Sequence, residues 1–334
     1  MGDLATSDAA RVQGHAAWGK RSVLMGRITN TMAGLSCGMK HDKMTVAIVP
    51  TTDEDLPAIW TYCTSQEFAS ALRGISQRLD VPTGSFVKVP FDVDRWRQLA
   101  VEQFPNGLPD PYSNDPTQWI FHGHPCASVI WDEEAKWTTL APKRIDDTVL
   151  QVAVARLLGY RWPAESDPEM ELSAESRALV AEARKLNPFS DDDGICCLPA
   201  IRGEPAAHER LLRLLEAAYG DDWTAGTLTK LLAESGAKGK GIDVWLRDAF
   251  FEQHCKLFHH RPFIWHIWDG LKDGFAALVN YHKLDRANLE RLIYTYLGDW
   301  IRMQERAAAD GQQGADERLA AAKVLKTKFE AILE

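Results

Sequence analysis

The sequence contains no apolar run of the ~18 residues needed to cross a membrane, so no transmembrane helix is expected. Its first residues, MGDLATSDAARVQG, are acidic and polar and lack the apolar core of a signal peptide. The six cysteines (37, 63, 126, 196, 197 and 255) form no Cys-x-x-Cys pair and no dense framework, which points to reduced thiols in a cytoplasmic protein. Signatures of autonomous catalysis are missing too. There is no glycine-rich phosphate loop after a strand, no His-Glu-x-x-His, no Asn-Pro-Pro-Tyr or Asp-Pro-Pro-Tyr, and no Phe-x-Gly-x-Gly of the kind that holds S-adenosylmethionine. GAKGKG (236–241) lacks the preceding strand and the Ser or Thr ending of a nucleotide loop, and reads as a helix–helix connection. The carboxylates of Glu133-Glu134 and Asp191-Asp192-Asp193 read as solvated runs, with no acid forced into an apolar pocket.

What is present is an ordinary globular composition. The 334 residues are 45% hydrophobic and 25% charged, enough for two domains with their own cores. The net charge of −9 argues against a coat of nucleic acid, but its distribution is uneven. Residues 11–43 hold Arg11, Lys20, Arg21, Arg27, Lys40 and Lys43 against Asp42 alone, a surplus of five positive charges in an otherwise acidic chain. A confined phosphate-contacting surface and a solvated basic loop both fit that pattern.

The periodicity predicts an α+β protein: a small mixed N-terminal part, then a mainly helical region carrying an aromatic hairpin. MTVAIVP reads as a strand over 44–49 stopped by Pro50, LPAIWTYCTSQEFASALRGISQRL (56–79) as a helix, and GSFVKVPFD (84–92) as a short strand. Residues 102–143, rich in proline and aromatics, read as a connecting strap without regular elements. Three regions follow: 1–100, the strap at 101–143, and a helical 144–334. Helices are expected over 146–158 with Gly159 as terminator, over 204–220, 221–236 and 241–258, and as a terminal pair joined at DGQQG. The last of these stops without a terminating signal, as a chain cut short would.

The stretch HHRPFIWHIWDGLKDGF (259–275) concentrates imidazoles and indoles. With His254, Cys255 and His282 it offers possible metal ligands, but the spacing shows no His-x-x-x-His pattern that would bring them to one point. A hairpin over 262–282, clasped onto helices by Phe263, Trp265 and Ile267, needs fewer coincidences. FHGHPC (121–126) is a second candidate: His122, His124 and Cys126 alternate along an extended chain, either as three ligands lacking a fourth or in a loop that packs Trp119 and Phe121 into a groove.

These residues also carry a resemblance. Arg261, Pro262, Trp265, Gly274, Phe275, Leu278, Tyr281, His282, Lys283 and Leu297, in HHRPFIWHIWDGLKDGFAALVNYHKL and LERLIYTYLGDWI, resemble the region after target recognition in large adenine-specific DNA methyltransferases. These are proteins of the BREX phage-defence (PglX) and type IIG restriction-modification kind. The upstream TVAIVP, LPAIWTYCTSQEF and FVKVPFD resemble the close of their target-recognition domain, and DPTQWIFHGHP and LLGYRWP are similar to one branch. The resemblance spans nearly the whole chain. It implies a portion that contacts double-stranded DNA, selects the target and braces a methyltransferase domain or subunit. S-adenosylmethionine binding and methyl transfer to adenine N6 would lie in that N-terminal part. No catalytic, cofactor or metal residue carries over, because the motifs are absent here; whether the chain is itself an enzyme stays open.

On residue type, Lys20, Arg21 and Arg27 are the first candidates for DNA contact and Lys40 and Lys43 the next, with Gln13, Ser22, Thr29 and Asn30 able to reach phosphates and base edges. A protein-docking scaffold and a histidine-based metalloenzyme are the competing readings.

Overall fold

The glycine-rich N-terminal segment forms strands in a computed structural model of the chain, which describes residues 14–28, 32–201 and 203–333. β1 (Ser22–Gly26) lies between antiparallel β2 (Ala33–Ser36) and β3 (Thr45–Ile48), the last being the strand expected before Pro50. The expected helix over 56–79 is instead two, α1 (Leu56–Cys63) and α2 (Gln66–Ile75). Local side-chain chemistry breaks it. Thr64 Oγ1 donates back to the Trp60 carbonyl at 2.8 Å, and Ser65 Oγ caps the second helix by accepting from the Phe68 N–H at 3.1 Å.

The strand expected over 84–92 is not formed. Thr83–Phe86 make one helical turn, α3, and the bonds Lys88 N–H to Ser85 O and Val89 N–H to Phe86 O continue it as turns. Phe86 is thereby buried while its neighbour Val87 is 82% exposed. α4 (Val93–Gln103) follows, capped by Asp92. Val23, Met25, Tyr62, Phe68, Leu72 and Trp96 form the core shared by sheet and helices.

The chain divides into two compact units, one running through Pro111 and including Trp131–Thr138, the other comprising Tyr112–Ile130 and Thr139–Glu334. The stretch read as a strap without regular elements holds a two-stranded ribbon, β4 (Val129–Asp132) and β5 (Trp137–Leu140). Its turn places Lys136 at φ 49° and is tied by the Asp132 carboxylate, which accepts from the Glu134 and Ala135 N–H groups. Two four-residue strands are too short to show alternation among prolines.

In the second unit α5 (Asp147–Leu157) is central: every residue from Val149 to Leu157 is buried, so the helix is covered on all sides. Gly159, at φ 71°, turns the chain after it, and a Cβ there would lie 2.8 Å from the Asp191 carbonyl. Next come α6 (Pro163–Ser166), α7 (Ala174–Arg184), β6 (Ile195–Cys197), α8 (Ala207–Tyr219) and α9 (Ala225–Glu234). The helix expected over 241–258 is divided at Ala249 (φ −126°) into α10 (Ile242–Asp248) and α11 (Phe250–Leu257).

The expected hairpin is present as β7 (Ile264–Trp268) and β8 (Ala276–Asn280), paired antiparallel from Ile264–Asn280 to Trp268–Ala276. β6 adds to the far side of β8, giving the order β6-β8-β7. All five residues of β8 are buried because both faces are covered. Leu278 joins the core around α5, α8 and α10, while Ala277 and Val279 face Leu292, Tyr296 and Leu297. Those last residues lie on α12 (Arg286–Arg291) and its continuation through one π-helical turn (Leu292–Leu297) into α13 (Gly298–Ala309). α14 (Ala315–Leu333) completes the terminal pair across DGQQG. The fold is α+β, with small antiparallel sheets and a helical C-terminal region.

Two carboxylates depart from the expectation that none is forced inside. Glu165 is 5% exposed and pairs with Arg156, itself fully buried, at 2.9 Å. Arg156 also donates to the Gly123 carbonyl at 3.2 Å and to Asn187 Oδ1 at 3.1 Å. Asp191 is 8% exposed, pairs with Arg210 at 2.9 Å and accepts from the Asp193 and Gly194 N–H groups. Burial, with Asp193 beside it, pushes its carboxyl up to about 6. An Asp triplet looks solvated in sequence; a turn after α7 carries its first member inward.

Candidate nucleic-acid interface

The five cations singled out for DNA contact fall at the two ends of β1. Lys20 and Arg21 precede the strand, and Lys40 reaches the same end because the chain after β2 packs on the chain before β1. The Gly19 N–H donates to the Gly38 carbonyl at 2.9 Å, and Gly38 (φ 96°) is so close that a Cβ would sit 2.6 Å from Lys20 N. Lys40 Nζ lies 4.7 Å from the Trp18 ring centroid, and His15 packs on the same indole at 4.3 Å. Lys20 and Lys40 are exposed and belong to no ion pair among the described residues. Arg21, also exposed, pairs with Asp110 at 3.1 Å.

At the other end, Arg27 is turned into the unit rather than outward. Its guanidinium pairs with Asp80 at 2.9 Å and donates to the Val81 and Lys43 carbonyls, and its side chain is 20% exposed. Those partners tie the end of β1 to the segment before α3. Lys43 presents its carbonyl to Arg27 while its residue stays exposed, outside any ion pair among the described residues. Ser22 is 1% exposed and sits within the sheet. Arg11, Gln13, Thr29 and Asn30 lie outside the described residues. The sequence offered no means of finding Asp80 or Asp110, remote acids that bind Arg27 and Arg21, nor the packing of Lys40 on Trp18.

The imidazole-rich stretches are placed by backbone bonds. His254 is fully buried at the core, and its Nε2 accepts from the Phe263 and Ile264 N–H groups at 3.3 and 3.2 Å, fastening α11 to β7. His259 and His260, both exposed, reverse the chain with φ of 52° and 59°. Of the three residues expected to clasp the hairpin, Phe263 is buried and Ile267 packs on the core, but Trp265 is 45% exposed. In FHGHPC, His122 Nδ1 accepts from the His124 N–H, and His124 Nδ1 accepts from the Cys126 and Ala127 N–H groups. Alternation thus serves successive turns, not convergence, and no group of three His, Cys, Asp or Glu among the described residues is placed to hold a metal ion. Phe121 packs inside as expected, whereas Trp119 is 68% exposed.

Compared with known proteins, the chain matches no family model, and no curated protein matches it.

Proposed function

We propose that this chain is the DNA-contacting, target-recognition and bracing portion of an adenine-N6 DNA methyltransferase of the restriction-modification or phage-defence kind. Methyl transfer from S-adenosylmethionine would be housed in another domain or subunit, since this sequence holds none of the motifs for it. The reading rests on the resemblance of the residues around 261–297, and one structural observation carries it: cations outside ion pairs flank both ends of a short strand. A five-residue strand such as β1 spans roughly 13 Å, comparable to the ~12 Å width of a major groove. Lys20 and Lys40 on one side and Lys43 on the other can therefore meet phosphates across one groove, with Arg21, paired to Asp110, beside them. Arg27, bound to Asp80 and two carbonyls, has a supporting role in this arrangement.

The double substitution Lys20→Ala/Lys40→Ala tests the reading. In equilibrium binding to duplex DNA it is expected to lower affinity uniformly across sequences and to reduce the slope of log K against log salt by about 2. Far-UV circular dichroism should be unchanged, because both side chains are exposed. Unaltered binding by the double variant would rule out this surface. Arg27→Ala is expected instead to destabilise the fold, which separates support from contact.

A further inference from the structure

The second unit contains a cavity of about 330 Å³ whose polar side chains, Glu182 apart, can all donate hydrogen bonds. Two buried side chains that line it each keep one polar group outside any protein hydrogen bond among the described residues. His124 is 4% exposed, and its Nδ1 is occupied by the Cys126 and Ala127 N–H groups at 3.3 and 3.1 Å. Backbone N–H groups only donate, so Nδ1 is unprotonated and the ring proton sits on Nε2. Burial, with the Lys143 charge adding to it, pushes this imidazole down to about 2, so the neutral Nε2–H tautomer holds throughout the physiological range. No hydrogen bond from Nε2 or from the Ser128 hydroxyl is found among the described residues, and Ser128 is 3% exposed.

The third donor is charged. Lys143 Nζ gives one hydrogen bond to the Ala218 carbonyl at 2.9 Å, leaving two N–H bonds. At the rim Lys185 is paired with Glu182 at 2.7 Å, so those two charges cancel. The Tyr219 hydroxyl donates to the Arg144 carbonyl and takes no part. The rest of the wall is leucine and alanine. One ammonium, one imidazole N–H and one hydroxyl against an apolar wall match a single oxyanion head on a small apolar body.

We infer that this cavity is a binding site for a small organic anion, a carboxylate or phosphate oxygen seated on His124 Nε2, Ser128 Oγ and Lys143 Nζ with its apolar part against the leucines. The site stands on the geometry of the second unit alone and does not rest on the DNA reading.

Benzoate and phenyl phosphate, with inorganic phosphate as the head alone, are the probes. Each is titrated into the full chain while backbone amide shifts are followed by NMR. Saturable shifts confined to residues around 127–128, 141–143 and 217–220 are expected for at least one organic probe, and the tighter of the two identifies the head group. Lys143→Met is expected to weaken binding at least about tenfold, the loss typical of a charge-assisted hydrogen bond. Ser128→Ala, which leaves every backbone bond in place, should weaken it less. His124 is left intact because it holds the turn. The absence of saturable shifts up to about 10 mM of every probe, or equal binding by Lys143→Met and the native chain, would overturn the inference.

Discussion

Arg156→Met is expected to destabilise the second unit by about 3–5 kcal/mol, because it strands a carboxylate in the interior. Glu165 is 5% exposed and has few other donors: Arg156 Nη1 lies within 3.0 Å of both its oxygens, and the Trp162 N–H supplies one further bond at 3.0 Å. Water has little room to replace the guanidinium, since Gly123 is so close that a Cβ would be 2.4 Å from Glu165 Oε1. The loss also leaves the Gly123 carbonyl and Asn187 Oδ1 without their donor. In a unit of this size the melting temperature falls about 2–4 °C per kcal/mol. Adding Glu165→Leu to Arg156→Met should return much of the stability, because the main cost is the unpaired charge rather than the missing attraction. Denaturant melts of the single and double variants decide it. A single variant within about 1 kcal/mol of the native protein would show that solvent reaches the pair.

The second large effect is acid sensitivity. His122, His124 and His254 are buried, and burial pushes their imidazoles down to about 3, 2 and 3. An unfolded chain takes up protons at these residues near pH 6.5, while the native fold resists until far lower pH. Their contribution is therefore fully present above pH ~6.5 and is lost as pH falls below it, at about 1.4 kcal/mol per pH unit for each histidine. Asp191 acts in the opposite sense. Its carboxyl is raised to about 6, so the native state binds a proton before the unfolded chain does, offsetting one histidine between that value and the ordinary carboxylate range. The net expectation is a loss of about 3 kcal/mol per pH unit from pH 6 towards pH 4. Urea titrations at half-unit steps, read by tryptophan fluorescence, measure the slope. Stability that is flat or rising on acidification would mean that these imidazoles are hydrated or already charged.

What the sequence disclosed and what it hid follow one physical division. Elements with a long local signal were legible: the apolar period and Gly159 for α5, Gly220 closing α8, and the Trp-Ile alternation with its Asp-Gly turns for the β7–β8 hairpin. Breaks at a single residue were not, because Ser65 as a cap and Ala249 as a kink look like ordinary helix residues. The third strand, β6, is three residues whose identity as sheet comes only from pairing with β8, some eighty residues away. The candidate interface divides in the same way. Its excess of positive charge was readable, but which cations turn inward depends on remote acids. Arg27 meets Asp80 and Arg21 meets Asp110, while Lys40 is gathered to Lys20 by a glycine-to-glycine contact. Likewise the three alternating residues of FHGHPC were visible as potential ligands, yet only the backbone shows the imidazole nitrogens accepting from successive N–H groups.

Binding of the full chain to a mixed-sequence DNA duplex, followed as salt is raised from 50 to 200 mM, tests the central claim most directly. If Lys20, Lys40 and Lys43 displace counterions from phosphates, log K falls linearly with log salt at a slope of about −3. A complex whose affinity does not change with salt, or no complex at the lowest salt, would contradict the assignment and leave the N-terminal cations as a solvated surface.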